Sequence, residues 1–210
     1  CYEYTGPVVS GATIGTWAYR PLTEQERERN LVWSAWQGTI EIPYRPDLPG
    51  IDQIESQLTR FEQEESQFTK FGNTAAALHA RAMAERSRRE LARRRALPVG
   101  EMLPYQVALW RIGESVWLAV QGEPYSLLQT ELRKRIPEVA IVVCSLGFSW
   151  GVAYLPPAEK YGLGLYQEKI AVVAPGALEK IIDVLEQKIR RLLNGAESAD
   201  LDNSQEPQQA

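Results

Sequence analysis

Two residues in the middle of the chain are placed to do chemistry together. Glu123 follows the apolar run Val116-Trp-Leu-Ala-Val120, and Tyr154 lies beyond a second one, Val139-Ala-Ile-Val-Val-Cys144. Carboxylate and phenol are both oxygen donors, so the pair can converge on one ion if the fold brings them together. Each also has an ordinary reading. Glu123 precedes Pro124, a good first helical residue, so the carboxylate can simply complement a helix N-terminus. Tyr154 can be a core aromatic with a satisfied hydroxyl.

The other reactive side chains offer less. His79 is the only histidine, and it sits beside alanines and Arg81 in a helical stretch, as a surface or packing residue would. No Gly-x-Ser-x-Gly elbow, phosphate loop ending Gly-Lys-Ser/Thr, Cys-x-x-Cys pair or paired-histidine motif occurs. The two cysteines, Cys1 and Cys144, are too few for a disulfide framework. Cys144 ends an apolar run and reads as a buried thiol.

The segments around Glu123 and Tyr154 determine whether they can meet. Both apolar runs are short and nearly uninterrupted, as strands covered on both faces are. Between them Leu127, Leu128, Leu132 and Ile136 mark one helical face, and Glu131 and Arg135 have the i, i+4 spacing of an ion pair. Two strands joined by one such helix form a right-handed crossover with parallel strands. Glu123 and Tyr154 then lie beyond carboxyl ends of strands, where open parallel sheets bind ligands. Neighbouring strands bring such ends within about 5 Å of each other.

Upstream, Tyr4 to Tyr19 is strand-like material broken by glycines, and Thr23 with Glu26 forms a capping box for a short polar helix. Val32 to Ile42 reads as a strand, followed by a proline-rich connection. Ile51, Ile54, Leu58, Phe61, Phe68 and Phe71 recur at helical spacing up to Gly72-Asn73, and a second helix runs from Ala75 to about Ala96. Residues 51–96 therefore form a helical hairpin appended to the sheet. Its second arm carries Arg81, Arg86, Arg88, Arg89, Arg93, Arg94 and Arg95, either a solvated, salt-bridged face or a patch for an anionic surface. Gly113-Glu-Ser115 marks a β-hairpin after Met102 to Trp110. A final helix shows Leu178, Ile181, Ile182, Leu185, Ile189, Leu192 and Leu193 on one face and is capped by Gly195. The polar residues 196–210 read as a disordered tail.

The fold class is α/β: a mixed sheet with a parallel β-α-β unit, the helical hairpin and a C-terminal helix, in an incomplete domain. The net charge of −4 argues against a nucleic-acid partner, and no apolar run is long enough to span a membrane. A start at Cys1 fits a cleaved lipoprotein beginning at its lipidated cysteine, but the chain reads straight into folded sequence with no tether, so an incomplete chain with a longer protein upstream is expected. The compartment stays open, with secretion or a periplasmic location compatible with a start that is not visible.

One ordered series of motifs carries a family resemblance: Val107-Ala-Leu-Trp-Arg-Ile-Gly113, Trp117-Leu-Ala-Val-Gln-Gly-Glu-Pro-Tyr125, Gly151-Val-Ala-Tyr154-Leu-Pro-Pro157, Gly164-Leu-Tyr166 and Ala174-Pro-Gly-Ala-Leu-Glu-Lys180. The series resembles the later part of the catalytic domain of neutral/alkaline, non-lysosomal ceramidases, and more closely their bacterial ceramidase-like relatives. It covers roughly residues 103–193. Gln121 and Gln167 stand where that family commonly has Pro and Glu.

The resemblance implies a zinc-dependent hydrolase that cleaves the N-acyl bond of a ceramide-like lipid. Residues 1–195 would be the C-terminal part of its catalytic domain. The family's Gly-Glu carboxylate falls on Glu123 and its zinc-completing tyrosine on Tyr154. Tyr154 could also stabilise the developing oxyanion. The two zinc-binding histidines are expected upstream of residue 1, so the chain alone should be inactive. The implied partner is a lipid or small amide, with contact at a membrane surface as a further expectation. The alternative is a catalytically inactive ceramidase-like binding module.

Overall fold

The computed structural model of the chain describes residues 2–4, 17–148 and 150–195. Strand β1 (Tyr2–Tyr4) pairs antiparallel with β2 (Trp17–Tyr19); the strand-like residues 5–16 between them lie outside the described residues. Helix α1 (Glu24–Asn30) begins at the expected capping box. The Thr23 hydroxyl accepts from the Glu26 amide at 3.3 Å, and the Glu26 carboxylate accepts from the Thr23 amide at 2.8 Å. Arg20 grips the same carboxylate from outside the helix.

Strand β3 (Trp33–Pro43) leads through a proline-rich turn into helices α2 (Ile51–Lys70) and α3 (Thr74–Ala96). The helices form the expected hairpin, turning at Gly72, whose φ of +71° suits glycine. Asn73 supplies the cap: its side chain accepts from the Ala76 amide at 3.2 Å. Ile54 is buried on α2, while α3 buries Ala80, Ala84, Ser87 and Leu91. Across the two arms, Arg88 pairs with Glu62 and Arg95 with Glu55. The salt-bridged reading of the arginine arm therefore holds for these two. Arg81, Arg86, Arg89 and Arg93 form no ion pair among the described residues.

Strands β4 (Met102–Ile112) and β5 (Ser115–Val120) make the expected hairpin around Gly113, at φ +59°. Two-residue strand β6 (Glu123–Pro124), helix α4 (Leu127–Arg135) and strand β7 (Ala140–Cys144) follow. Strand β8 (Tyr154–Leu155), short helix α5 (Tyr166–Ile170) and helix α6 (Ala177–Leu193) complete the described fold. The main sheet has the order β3-β4-β5-β7, with β5 and β7 parallel and joined through α4. The mixed sheet, the parallel β-α-β unit and the α/β class are thus present. The polar tail from residue 196 lies outside the described residues.

The period of two on each strand sorts the side chains cleanly. Ile40 and Ile42, Leu103 to Leu109 at every second residue, Val116, Leu118, Val120 and Ile141 share one face. Leu128 and Leu132 of α4 and the whole apolar stripe of α6 cover it, forming one core. Arg135 of α4, steadied by Glu131 of the same helix, ties the two helices together through Asp183 and Glu186 of α6. Trp36 lies over the space that Gly38 leaves empty beside it, and Lys188 stacks on its ring, 4.6 Å from the centroid.

The opposite face departs from expectation. Both parallel strands read as covered on two sides, yet this face carries Trp33, Trp110, Trp117 and Val142, with Trp33 66% and Trp117 41% exposed. Among the described residues helices cover one side only. Cys144, on the open side at the end of edge strand β7, is consequently exposed rather than buried.

Candidate functional site

The site is built where the chain leaves β5. Buried Tyr105 of β4 donates its hydroxyl to the Gln121 carbonyl at 2.7 Å. The Gln121 side chain accepts from the Gln106 amide at 3.3 Å and the Gln121 amide donates to the Gln106 carbonyl at 3.3 Å, so the segment after β5 is tied firmly to β4. Gly122 then turns with φ +67°. A Cβ on it would sit 2.5 Å from the Ala153 carbonyl oxygen, closer than real Cβ atoms approach. Glycine is required here both by backbone conformation and by contact.

That close approach zips two segments together. The Glu123 amide donates to the Ala153 carbonyl at 2.7 Å and the Tyr125 amide to the Leu155 carbonyl at 3.2 Å. The resulting parallel ladder, β6 with β8, places Glu123 directly opposite Tyr154. Paired positions of adjacent strands lie about 4.8 Å apart. The two residues do come side by side, though not at the ends of the main sheet. They meet on a separate two-strand ladder that a loop after β7 brings back beside β5.

Ala153 and Leu146 in that loop both hold left-handed backbone, at φ +55° and +58°. Such a conformation in a residue with a Cβ costs of order 1–3 kcal/mol and persists where the surroundings enforce it. Here the enforcement is visible: the Leu146 amide bonds the Gly122 carbonyl at 2.9 Å, and Ala153 holds Glu123.

Glu123 is exposed and Tyr154 half-buried. Neither the carboxylate nor the hydroxyl has a hydrogen-bond partner or ion pair among the described residues. The two ordinary readings therefore do not describe them. Glu123 lies in a strand, with Pro124, Tyr125 and Ser126 between it and α4, and Tyr154 is not enclosed in the core. The negative charge of Glu123 raises the Tyr154 phenol above its ordinary value, with burial and Tyr166 adding smaller pushes the same way. Tyr166 of α5 meets Tyr154 edge-on, with centroids 6.0 Å apart and planes at 65°. The motif series includes Tyr166 in Gly164-Leu-Tyr166 without giving it a role; the fold brings it against Tyr154.

Beyond the ladder lies a cleft of about 440 Å³ between Tyr125–Leu127 and Pro157–Lys160. Glu179 of α6 lines it, accepting from the Ala158 amide at 2.8 Å through one oxygen while the other is buried without a partner.

As a metal site, this is half a shell. A carboxylate and a phenol supply two oxygen donors, whereas a four-coordinate zinc site normally takes three protein ligands and leaves one position open. No group of three or more His, Cys, Asp or Glu side chains among the described residues could hold a metal ion. His79 is exposed on α3. No helix among the described residues is long and apolar enough to cross a membrane.

No protein-family model, no curated protein and no solved structure matches this chain.

Proposed function

We propose that the chain forms part of a zinc-dependent hydrolase of the neutral/alkaline ceramidase-like kind, acting on the N-acyl bond of a ceramide-like lipid. The observation that supports this is the unpaired Glu123 carboxylate opposite the unpaired Tyr154 phenol, on a ladder that Gly122 alone allows to close. These are the positions at which the motif series resembles that family's zinc-binding carboxylate and tyrosine. In the complete protein the other donors would be two histidines contributed by a segment preceding residue 1.

In this reading Glu123 would hold the ion with a charged oxygen, and Tyr154 would either complete the shell or hydrogen-bond oxygen charge that develops on the amide. A zinc ion bound there would supply Lewis acidity toward the amide carbonyl. Tyr166 packs against one edge of Tyr154 and limits where the phenol can swing. The strained loop residues Leu146 and Ala153 fix the distance between the two strands.

Zinc content and amide hydrolysis of the complete polypeptide test the reading. About one zinc per chain is expected, with its loss and the loss of hydrolysis in the Glu123→Ala, Tyr154→Phe double variant. Full zinc occupancy in the double variant would remove Glu123 and Tyr154 from the site. A complete polypeptide that binds the lipid but holds no zinc would instead be the inactive binding module.

A further inference from the structure

At the base of the helical hairpin, the last turns of α3 face the connection after β3 and the end of α5. Arg86, Arg93 and Arg94 of α3, Arg45 and Lys169 line a cavity of about 270 Å³ there, and only Asp47 and Glu90 among its lining residues carry the opposite charge. Asp47 is already occupied, bonded through both oxygens by Arg45 at 2.7 and 2.6 Å. Arg45 turns its remaining donor to the Glu168 and Ala171 carbonyls, which fixes it in the wall. Arg86, Arg93 and Lys169 have no ion-pair partner among the described residues. Arg94 carries a buried Nε with no acceptor. The cavity therefore holds cationic charge in excess, with an unsatisfied donor in its wall.

Arg45 and Arg94 also form one end of a neighbouring cleft of about 680 Å³. Its other walls are largely apolar, with Leu48, Ile51, Leu97 and Val99 among them. That volume falls in the usual range of small-molecule sites, about 300–1,000 Å³. The two spaces meet at the arginines, one cationic and one apolar.

We propose that together they bind an anionic amphiphile, its carboxylate or phosphate head in the arginine cavity and its alkyl chain along the apolar cleft. The planar guanidinium forks suit either head group, because both present two oxygens in the plane of the fork. The anion would satisfy Arg94 and balance Arg93, Arg86 and Lys169, while the chain would cover Ile51 and Val99, which are otherwise exposed. The site shares no residue with Glu123 or Tyr154 and does not depend on zinc.

Titration calorimetry of the full chain tests this with dodecanoate and dodecyl phosphate below their micelle-forming concentrations, dodecanol below its solubility limit, and inorganic phosphate. An anionic dodecyl ligand is expected to bind at least tenfold more tightly than dodecanol or inorganic phosphate. Whichever anion binds more tightly identifies the head group. Arg93→Gln with Arg94→Gln should weaken that binding at least tenfold. Val99→Glu places a repelling carboxylate on the cleft rim at a fully exposed position, so it should weaken binding even if the arginine variant does not fold. Dodecanol binding as tightly as the anions would overturn the proposal, as would inorganic phosphate binding as tightly as dodecyl phosphate. So would binding unchanged in either variant, or no binding of any anionic dodecyl ligand.

Discussion

Gly122 and Ala153 both hold left-handed backbone, but only one of them could carry a different side chain. Gly122→Ala adds a Cβ that meets the Ala153 carbonyl, so the β6–β8 ladder has to open. The expected cost is about 1–3 kcal/mol, read as a lowered melting temperature. Opening the ladder also separates Glu123 from Tyr154. The phenol, now held above its ordinary value chiefly by the Glu123 charge, should then titrate at lower pH. Glu123→Gln gives the same direction without strain, because it removes the charge and leaves the backbone intact. Phenolate absorbance followed against pH in the two variants distinguishes the causes. If neither variant lowers the Tyr154 titration, the two side chains do not interact as described.

At the scale of single elements, the stripe of α6 was legible at once. Of the seven apolar positions at helical spacing six are buried and Leu193 partly so, and Leu185 at the centre is fully enclosed. Leu185→Ala should cost about 2–5 kcal/mol in thermal or denaturant unfolding. The helical hairpin was legible in outline but not in its packing. On α3 the buried positions Ala80 and Ala84 are small, so the seam leaves no apolar stripe to read on that helix. Ala84→Leu should therefore overpack that seam and cost about 1–3 kcal/mol, with hydrogen exchange rising first in α2 and α3. The ladder that matters most, Glu123–Pro124 with Tyr154–Leu155, is too short to show a period of two. Its partners were legible from their places after β5 and β7, while the ladder that pairs them was not. The exposure of Cys144 was missed for a different reason. A continuous apolar strand implies two covered faces, whereas Trp117 and Val142 share an open one.

For the molecule as a whole, stability should fall as the solution becomes strongly alkaline. Burial pushes the Tyr161 phenol up to about 12, and its hydroxyl donates to the Val173 carbonyl at 2.9 Å. Burial raises buried Tyr105 in the same direction. An unfolded tyrosine loses its proton near pH 10. Between there and pH 12 the folded chain binds more protons than the unfolded one, so stability declines with each step upward. Denaturant midpoints measured from pH 9 to 12 should drop across that window, and less steeply in Tyr161→Phe.

The helical hairpin also bears on the order in which the chain can assemble. Strands β3 and β4 pair along their whole length, yet residues 44–101 separate them. Closing a loop costs about 0.6 kcal/mol more for each doubling of its length, so a disordered excursion of this size delays the pairing. Helices α2 and α3 remove most of that delay if they dock first, because their contacts are local. Docked, they bring the start of α2 beside the end of α3, where Arg95 holds Glu55. The Tyr44 hydroxyl then reaches the Pro98 carbonyl at 2.9 Å, and the two strands start in register at Pro43 and Met102. In pulse-labelled refolding, amides of α2 and α3 should become protected before those of β3 and β4. The arm that looks like an ornament on the sheet would then be the clasp that closes it.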